Sequence, residues 1–284
     1  MTAARTTLLS PAELAAWIAE GRRPVLLDAS FDLADPGAGE RRFAAGHIPG
    51  SHYVHLDRDL AGPKTGRNGR HPLPDRAAFA RTIGALGIRP GTQVVALDAQ
   101  GGVYAARLWW MLRWLGHEAV AVLDGGLQGW KNAGGASTTE PAPPRAEAPP
   151  YPERPPLVAT VDAAAVARRP PAAALVDARA PERFRGETEP LDRVAGHIPG
   201  ALNRFYKANL DPAGGFKPAE TLRQEFAALL GPVPAADVIH SCGSGVTACH
   251  NLLAMEHAGL AGSALYPGSW SEWSSDPDRP VATG

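Results

Sequence analysis

The chain has 284 residues, enough for about two domains that each bury a core. Its 44% hydrophobic and 20% charged composition excludes a disordered protein, and 28 Lys and Arg against 29 Asp and Glu leave no basic field for nucleic acid or anionic lipid. Two cysteines supply neither a disulfide framework nor a four-cysteine zinc site.

At the start of the chain, Arg5, Glu13 and Glu20 interrupt the apolar residues of 1–21, so no signal-peptide core is expected there. No stretch reaches the ~20 apolar residues of a membrane span. The expectation is a soluble cytoplasmic protein, with no membrane or nucleic-acid partner. In chain order, Ser10 caps a helix over 11–20, followed by a strand over 24–28. A helix over 76–86 ends at Gly87 before a strand over 92–97, and a helix over 103–115 stops at Gly116 before a strand over 119–123. Residues 136–156 carry eight prolines in 21 residues, which predicts an extended, semi-rigid connector. Beyond it, helices are expected over 161–168, 219–230 and 246–257.

The two sides of the connector repeat one another. Gly46-His47-Ile48-Pro49-Gly50 recurs as Gly196-His197-Ile198-Pro199-Gly200, and the apolar run ending in Asp28-Ala29 recurs in the run ending in Asp177-Ala178. Val94 to Asp98 corresponds to Val238 to Cys242, and Leu123 to Trp130 corresponds to Leu265 to Trp273. Four landmarks in one order, at offsets between 142 and 150, point to a duplicated domain. Short apolar strands alternating with helices predict an α/β fold in which each copy has a mainly parallel sheet covered by helices on both faces. Ligands of such sheets gather at the carboxyl ends of the strands.

Cys242 stands at such an end, in Cys242-Gly243-Ser244-Gly245-Val246-Thr247-Ala248. A strand, a glycine turn and a helix starting at Val246 and Thr247 would aim backbone N–H groups inward, a nest that favours negative charge and hence a nucleophilic thiolate. A free cysteine is more commonly a small buried hydrophobe, and the loop is then only a βα connection. Cys249, seven residues on, reads as core, and its spacing suits neither a redox pair nor a metal site. A cysteine phosphatase would need an arginine closing the loop, but Ala248 stands there and no arginine follows before Ala264. A thiolate held by neutral amides and the Ser244 hydroxyl suits carriage of sulfane sulfur as a persulfide.

The tandem copies, the two GHIPG pentapeptides, VLDGGLQGW (122–130) and YPGSWSEW (266–273) resemble the two-domain rhodanese superfamily over nearly the whole chain. CGSGVTAC (242–249) is similar to the loop of its 3-mercaptopyruvate sulfurtransferases, whereas thiosulfate-specific members carry Arg-Lys where Gly243 and Ser244 stand. The resemblance implies a non-catalytic rhodanese-like domain over 1–135, with Asp98 in the place of Cys242, a linker over 136–156 and a catalytic domain over 157–284. It implies sulfur transfer from 3-mercaptopyruvate to a thiol or cyanide through a Cys242 persulfide. The alternatives are a thiosulfate donor, or a non-enzymatic redox or sulfur-relay module. It also implies a relay of Ser244, His71 and Asp57, although His71 in a Gly- and Arg-rich loop reads by itself as an exposed histidine. Two arginines should hold the substrate carboxylate. Arg183 matches the first, Arg193 matches the second with a one-residue gap, and Arg185 is a substitute. Gly243, Gly245, Val246 and Thr247 complete the loop. No metal or organic cofactor is implied; the expected partners are a small sulfur donor and a thiol acceptor such as thioredoxin, and a monomer suffices. His47 and His197 read as structural turn residues, and Asp28 and Asp177 as turn-fixing groups.

Overall fold

Leu8–Leu9 (β1), Pro11–Ala19 (α1), Val25–Asp28 (β2), Ala38–Ala45 (α2), His52–Tyr53 (β3), Leu56–Asp59 (α3), Arg76–Ala85 (α4), Val94–Leu97 (β4), Val103–Trp114 (α5), Val120–Leu123 (β5) and Gly126–Asn132 (α6) form the first half of the chain in a computed structural model. The second half runs Ala159–Thr160 (β6), Ala163–Ala167 (α7), Ala174–Asp177 (β7), Pro181–Phe184 (α8), Ala201–Asn203 (β8), Ala219–Leu230 (α9), Val238–Ser241 (β9), Ala248–His257 (α10), Ala264–Leu265 (β10) and Ser269–Trp273 (α11). The structure describes residues 4–145 and 147–284; Met1 to Ala3 of the expected first domain and Ala146 of the expected linker lie outside the described residues.

Each half builds one five-stranded, wholly parallel sheet. The strand orders, β1-β5-β4-β2-β3 and β6-β10-β9-β7-β8, are the same topology. The middle strands, wholly apolar β4 and β9 with its buried His240 and Ser241, are buried at every position, as the centre of a doubly covered sheet must be. Ser10 forms a reciprocal cap on α1: its Oγ accepts from the Glu13 N–H at 3.2 Å, and Glu13 accepts from the Ser10 N–H at 3.0 Å.

The repeated motifs are core and corner pieces. Ile48 and Trp130 pack in the core of the first half, and Ile198 and Trp273 in that of the second. His47 Nδ1 lies 2.8 Å from the Phe43 carbonyl and His197 Nδ1 2.7 Å from that of Phe184. Each ring stacks on the same phenylalanine at 3.8 Å. Asp28 and Asp177 accept backbone N–H bonds from Ser30 (2.8 Å) and Arg179 (2.9 Å), two residues on.

The chain divides into two compact units, Met1–Ala61 with Pro74–Leu157 and Pro212–Gly215, and Gly62–Leu73 with Val158–Asp211 and Phe216–Gly284. The described residues of the proline-rich segment form no helix or named strand and belong to the first unit, where the Tyr151 N–H donates to the Ala80 carbonyl at 2.8 Å and its ring is buried. The strap Gly62–Leu73, which precedes the whole second half in sequence, belongs to the second unit. No helix among the described residues is long and apolar enough to cross a membrane.

Candidate active site

Cys242 follows β9, the middle strand of the second sheet, and is 1% exposed. Its Sγ accepts from the N–H of Gly245 at 3.1 Å and from that of Ser244 at 3.4 Å. Those two amides are the nest expected from the sequence, although the helix begins two residues later than expected. Val246 and Thr247 belong to the turn, and α10 starts at Ala248. The N–H groups of Gly243, Val246 and Thr247 carry no intrachain hydrogen bond among the described residues. Gly245 has φ +76°, and a Cβ there would lie 2.3 Å from the Pro267 carbonyl oxygen, so both conformation and space require glycine.

A second serine braces the cysteine. Ser269 is fully buried at φ +53°, the one described residue other than glycine with a positive φ. Its Oγ accepts from the Cys242 N–H at 3.0 Å, donates to the Tyr266 carbonyl at 2.9 Å and lies 4.0 Å from Sγ. The Trp270 and Ser271 N–H groups donate to the carbonyls of Cys242 and Gly243, both at 2.9 Å. The YPGSWSEW segment therefore splints the loop. Cys249 is buried in α10 and its thiol donates to the Gly245 carbonyl at 3.4 Å, in keeping with a core position.

The strap delivers His71 to Ser244. His71 Nδ1 lies 2.8 Å from Ser244 Oγ, and the two residues are only 4% and 6% exposed. The expectation of a surface histidine is overturned. The Gly62 N–H donates to the Pro72 carbonyl at 2.9 Å, which closes the strap on itself, and the Arg70 N–H donates to Ser271 Oγ at 3.0 Å, which ties it to α11 one residue before the imidazole. Asp57 belongs to the first unit, on α3, where its N–H donates to His55 Nδ1 at 3.1 Å.

Arginines converge on the same loop. A Cβ on Gly243 would lie 2.7 Å from an Arg70 guanidinium nitrogen and 3.7 Å from both terminal nitrogens of Arg183. The two cations are held by a chain of alternating charges. Buried Arg179 binds Asp177 (2.7 Å) and Glu189 (3.4 Å), Arg183 binds Glu189 (2.6 Å) and Asp192 (3.6 Å), and Arg70 pairs with Asp192. Burial works to raise the Glu189 carboxyl, but the Arg183 guanidinium and the N–H groups of Leu191 and Asp192 hold it below its ordinary range. Arg183 thus sits where the sequence reading needed it. Arg185 pairs with exposed Glu187 at 2.7 Å, and Arg193 is exposed on the wall of a neighbouring cavity that Arg70 also lines. Arg70, Glu189 and Asp192 carry no motif of their own and were not foreseen.

In the first unit the position after the middle strand holds Asp98. Its carboxylate accepts four N–H bonds, from Gln100 (2.8 Å), Gly102 (2.8 Å), Tyr104 (2.7 Å) and Ala105 (2.9 Å). The same type of nest is there filled by a fixed internal anion that cannot accept sulfur. Among the described residues no group of His, Cys, Asp and Glu could hold a metal ion.

The family model of the rhodanese-like domain matches residues 10–133 and 161–276. A Pseudomonas aeruginosa protein named "Probable 3-mercaptopyruvate sulfurtransferase" is 48% identical over 98% of this chain and 98% of its own length. The thiosulfate sulfurtransferase of Gallus gallus is 34% identical over 93% and 90%. The solved 3-mercaptopyruvate sulfurtransferase of Leishmania major superposes with a TM-score of 0.83 at 31% identity, covering 95% of this chain and 74% of that one. The chain belongs to the rhodanese family, carries two copies of its domain, and is a sulfurtransferase.

Proposed function

We propose that the protein moves sulfane sulfur from 3-mercaptopyruvate to a thiol or cyanide through a persulfide on Cys242, releasing pyruvate. The observation that carries this reading is the conjunction at one loop of an amide-held sulfur, a Ser244–His71 pair and the Arg70 and Arg183 guanidiniums. The guanidiniums would grip the substrate carboxylate with charge-assisted hydrogen bonds. The Cys242 thiolate attacks the substrate sulfur, a sulfur–sulfur bond forms, and the bond from C3 to sulfur breaks. The electron pair left on C3 is delocalised onto the adjacent ketone as an enolate. The proton from the substrate thiol passes through Ser244 and His71 to C3, giving pyruvate and a Cys242 persulfide anion. Unpaired N–H groups of Gly243, Val246 and Thr247 are available to that anion. In this reading Asp57 keeps the charge-stabilising role its motif has in the family, and no metal or cofactor takes part. Thioredoxin is a candidate acceptor and the monomer the working unit. A reducing cytoplasm suits two free buried cysteines.

Thiosulfate remains the second donor reading, and a specific observation favours it: Arg70 and Arg183 give the loop a positive charge that Gly243 and Ser244 themselves lack. One experiment tests both readings. The protein is treated with each donor and its mass measured, and Cys242→Ser serves as the control. The expected result is a gain of one sulfur atom, about +32 Da, on Cys242 with 3-mercaptopyruvate, and pyruvate production abolished by Cys242→Ser. Pyruvate production surviving in Cys242→Ser overturns the persulfide mechanism, and a tenfold or greater kcat/KM advantage for thiosulfate reverses the choice of donor.

A further inference from the structure

Beside the catalytic loop of the second unit lies an open cavity of about 670 Å³ that the transfer of sulfur onto Cys242 does not use. Lys64, Arg67 and Arg70 of the strap line it, together with Arg193, Asp192 and Ser274. Four cations therefore face a single carboxylate, and that carboxylate is already bound by Arg70 and Arg183 and only 7% exposed. Arg67 and Arg193 are exposed and enter no ion pair among the described residues. The whole chain has a formal charge of −1, so this concentration of positive charge is local rather than a general property of the surface.

The cavity and the thiol loop share a wall. Arg70 lines the cavity and also reaches over Gly243, the residue after Cys242. A molecule anchored by its negative groups in the cavity is therefore held next to the loop that carries the sulfur. The donor offers one carboxylate, for which Arg70 and Arg183 suffice, and this leaves Arg67 and Arg193 without a role in the first half of the cycle.

We infer that the cavity is the acceptor subsite, selecting small thiols that carry two or more carboxylates over neutral thiols; this rests on the proposed persulfide cycle. After pyruvate has left, the carboxylates of the acceptor are bound by Arg67 and Arg193, and its sulfur attacks the outer sulfur of the Cys242 persulfide. A new sulfur–sulfur bond forms on the acceptor while the bond to Cys242 Sγ breaks. The thiol proton moves to the transferred sulfur, and Cys242 returns as the thiolate. Sulfur is passed on at its existing oxidation level, so no oxidant or reductant is needed.

The test compares mercaptosuccinate, a dicarboxylate thiol, with neutral 2-mercaptoethanol as acceptors for the wild-type enzyme and for the Arg67→Ala/Arg193→Ala double variant. Taking the ratio of variant to wild type for each thiol cancels intrinsic reactivity. The KM for mercaptosuccinate should rise roughly fivefold relative to that for 2-mercaptoethanol, the size expected from removing two exposed charge contacts, and the difference should shrink as salt is added. Equal changes for the two thiols, or no change for either, overturn the assignment. Calorimetric binding of succinate, which has no sulfur, reads the cavity without turnover. Weaker binding by the double variant supports the subsite even if Cys242 accepts no sulfur, and equal binding by both proteins refutes it.

Discussion

His71 and Ser244 are 173 residues apart in sequence and meet at 2.8 Å between imidazole Nδ1 and hydroxyl Oγ, both largely buried. In the proposed mechanism the pairing is the proton route to the leaving carbon, a step needed only for a donor whose leaving carbon must be protonated. His71→Ala should lower kcat with 3-mercaptopyruvate by roughly 10²–10⁴-fold, the usual size of a lost general acid–base group. With thiosulfate the leaving group is sulfite, a stable anion that takes no proton at carbon, so the same variant should lose less than about tenfold. Steady-state kinetics with the two donors checks this, and equal losses would assign His71 a structural role.

The arginines make a separable prediction. Arg183→Ala and Arg70→Ala should each raise the KM for 3-mercaptopyruvate by roughly 10–100-fold, the worth of a charge-assisted hydrogen bond. Arg185→Ala should leave it within about twofold, because that side chain is spent on an exposed pair with Glu187. Arg183→Ala also leaves buried Glu189 and Asp192 short of a cation, so Arg183→Lys is the companion variant. It should recover stability while still binding the carboxylate poorly, since lysine lacks the fork that binds it bidentately.

Much of this arrangement is legible in the sequence. The duplicated landmarks are the residues that build the two cores: Ile48 and Ile198 are buried, as are Trp130 and Trp273, so their spacing had to be kept in both copies. The place of Cys242 at the end of the middle strand is legible from the repeat, which aligns it with Asp98, and from the two glycines that follow it. The strap is not. Gly62–Leu73 has no apolar period, and its membership of the second unit rests on long-range hydrogen bonds such as Arg70 N–H to Ser271 Oγ. Without that placement, Arg70 is one surface arginine among many and His71 reads as exposed. The start of α10 was misplaced for a related reason: Val246 and Thr247 have ordinary helix-entry chemistry, but the amides of the loop serve the sulfur rather than a helical turn. The alternating chain from Asp177 to Arg70 was invisible because its members are scattered over the strap and the segment before GHIPG.

The first unit gives a stability test. Four backbone N–H groups end on the Asp98 carboxylate, which is 1% exposed. Asp98→Ala strands all four without a solvent path and should cost at least about 3 kcal/mol. Because the proposed mechanism gives Asp98 no part, kcat of the folded fraction should be unchanged. Chemical denaturation and activity on the same preparation check both halves of this expectation.

Gly245→Ala should act on stability and chemistry together. The position needs a left-handed backbone, which costs a residue with a Cβ about 1–2 kcal/mol, and the added carbon would meet the Pro267 carbonyl at 2.3 Å. Relief of that clash must move the very N–H that is bonded to Cys242 Sγ. A fall in Tm accompanied by slower persulfide formation in single-turnover mass measurements is expected; a fall in Tm alone would show that the amide does not serve the sulfur.

The dependence of stability on pH should be carried in good part by His240, on β9 two residues before Cys242. It is fully buried, its Nε2 lies 3.1 Å from Met255 Sδ, and its Nδ1 has no hydrogen-bond partner. Burial pushes its pKa down to about 3. The unfolded chain binds a proton there near pH 6.5, whereas the folded chain does not until far lower. The contribution of the neutral ring is therefore intact above pH 6.5 and is lost as the pH falls below it, by up to about 1.4 kcal/mol per pH unit. His117, also lowered by burial, acts in the same sense. Glu189, held low, has its effect only below about pH 4.5 and stays outside this window. Urea unfolding at pH 7.5 and 5.0 should thus show a loss that His240→Leu reduces by about 2 kcal/mol. An unchanged loss in that variant would mean that the His240 site admits a proton in the folded state.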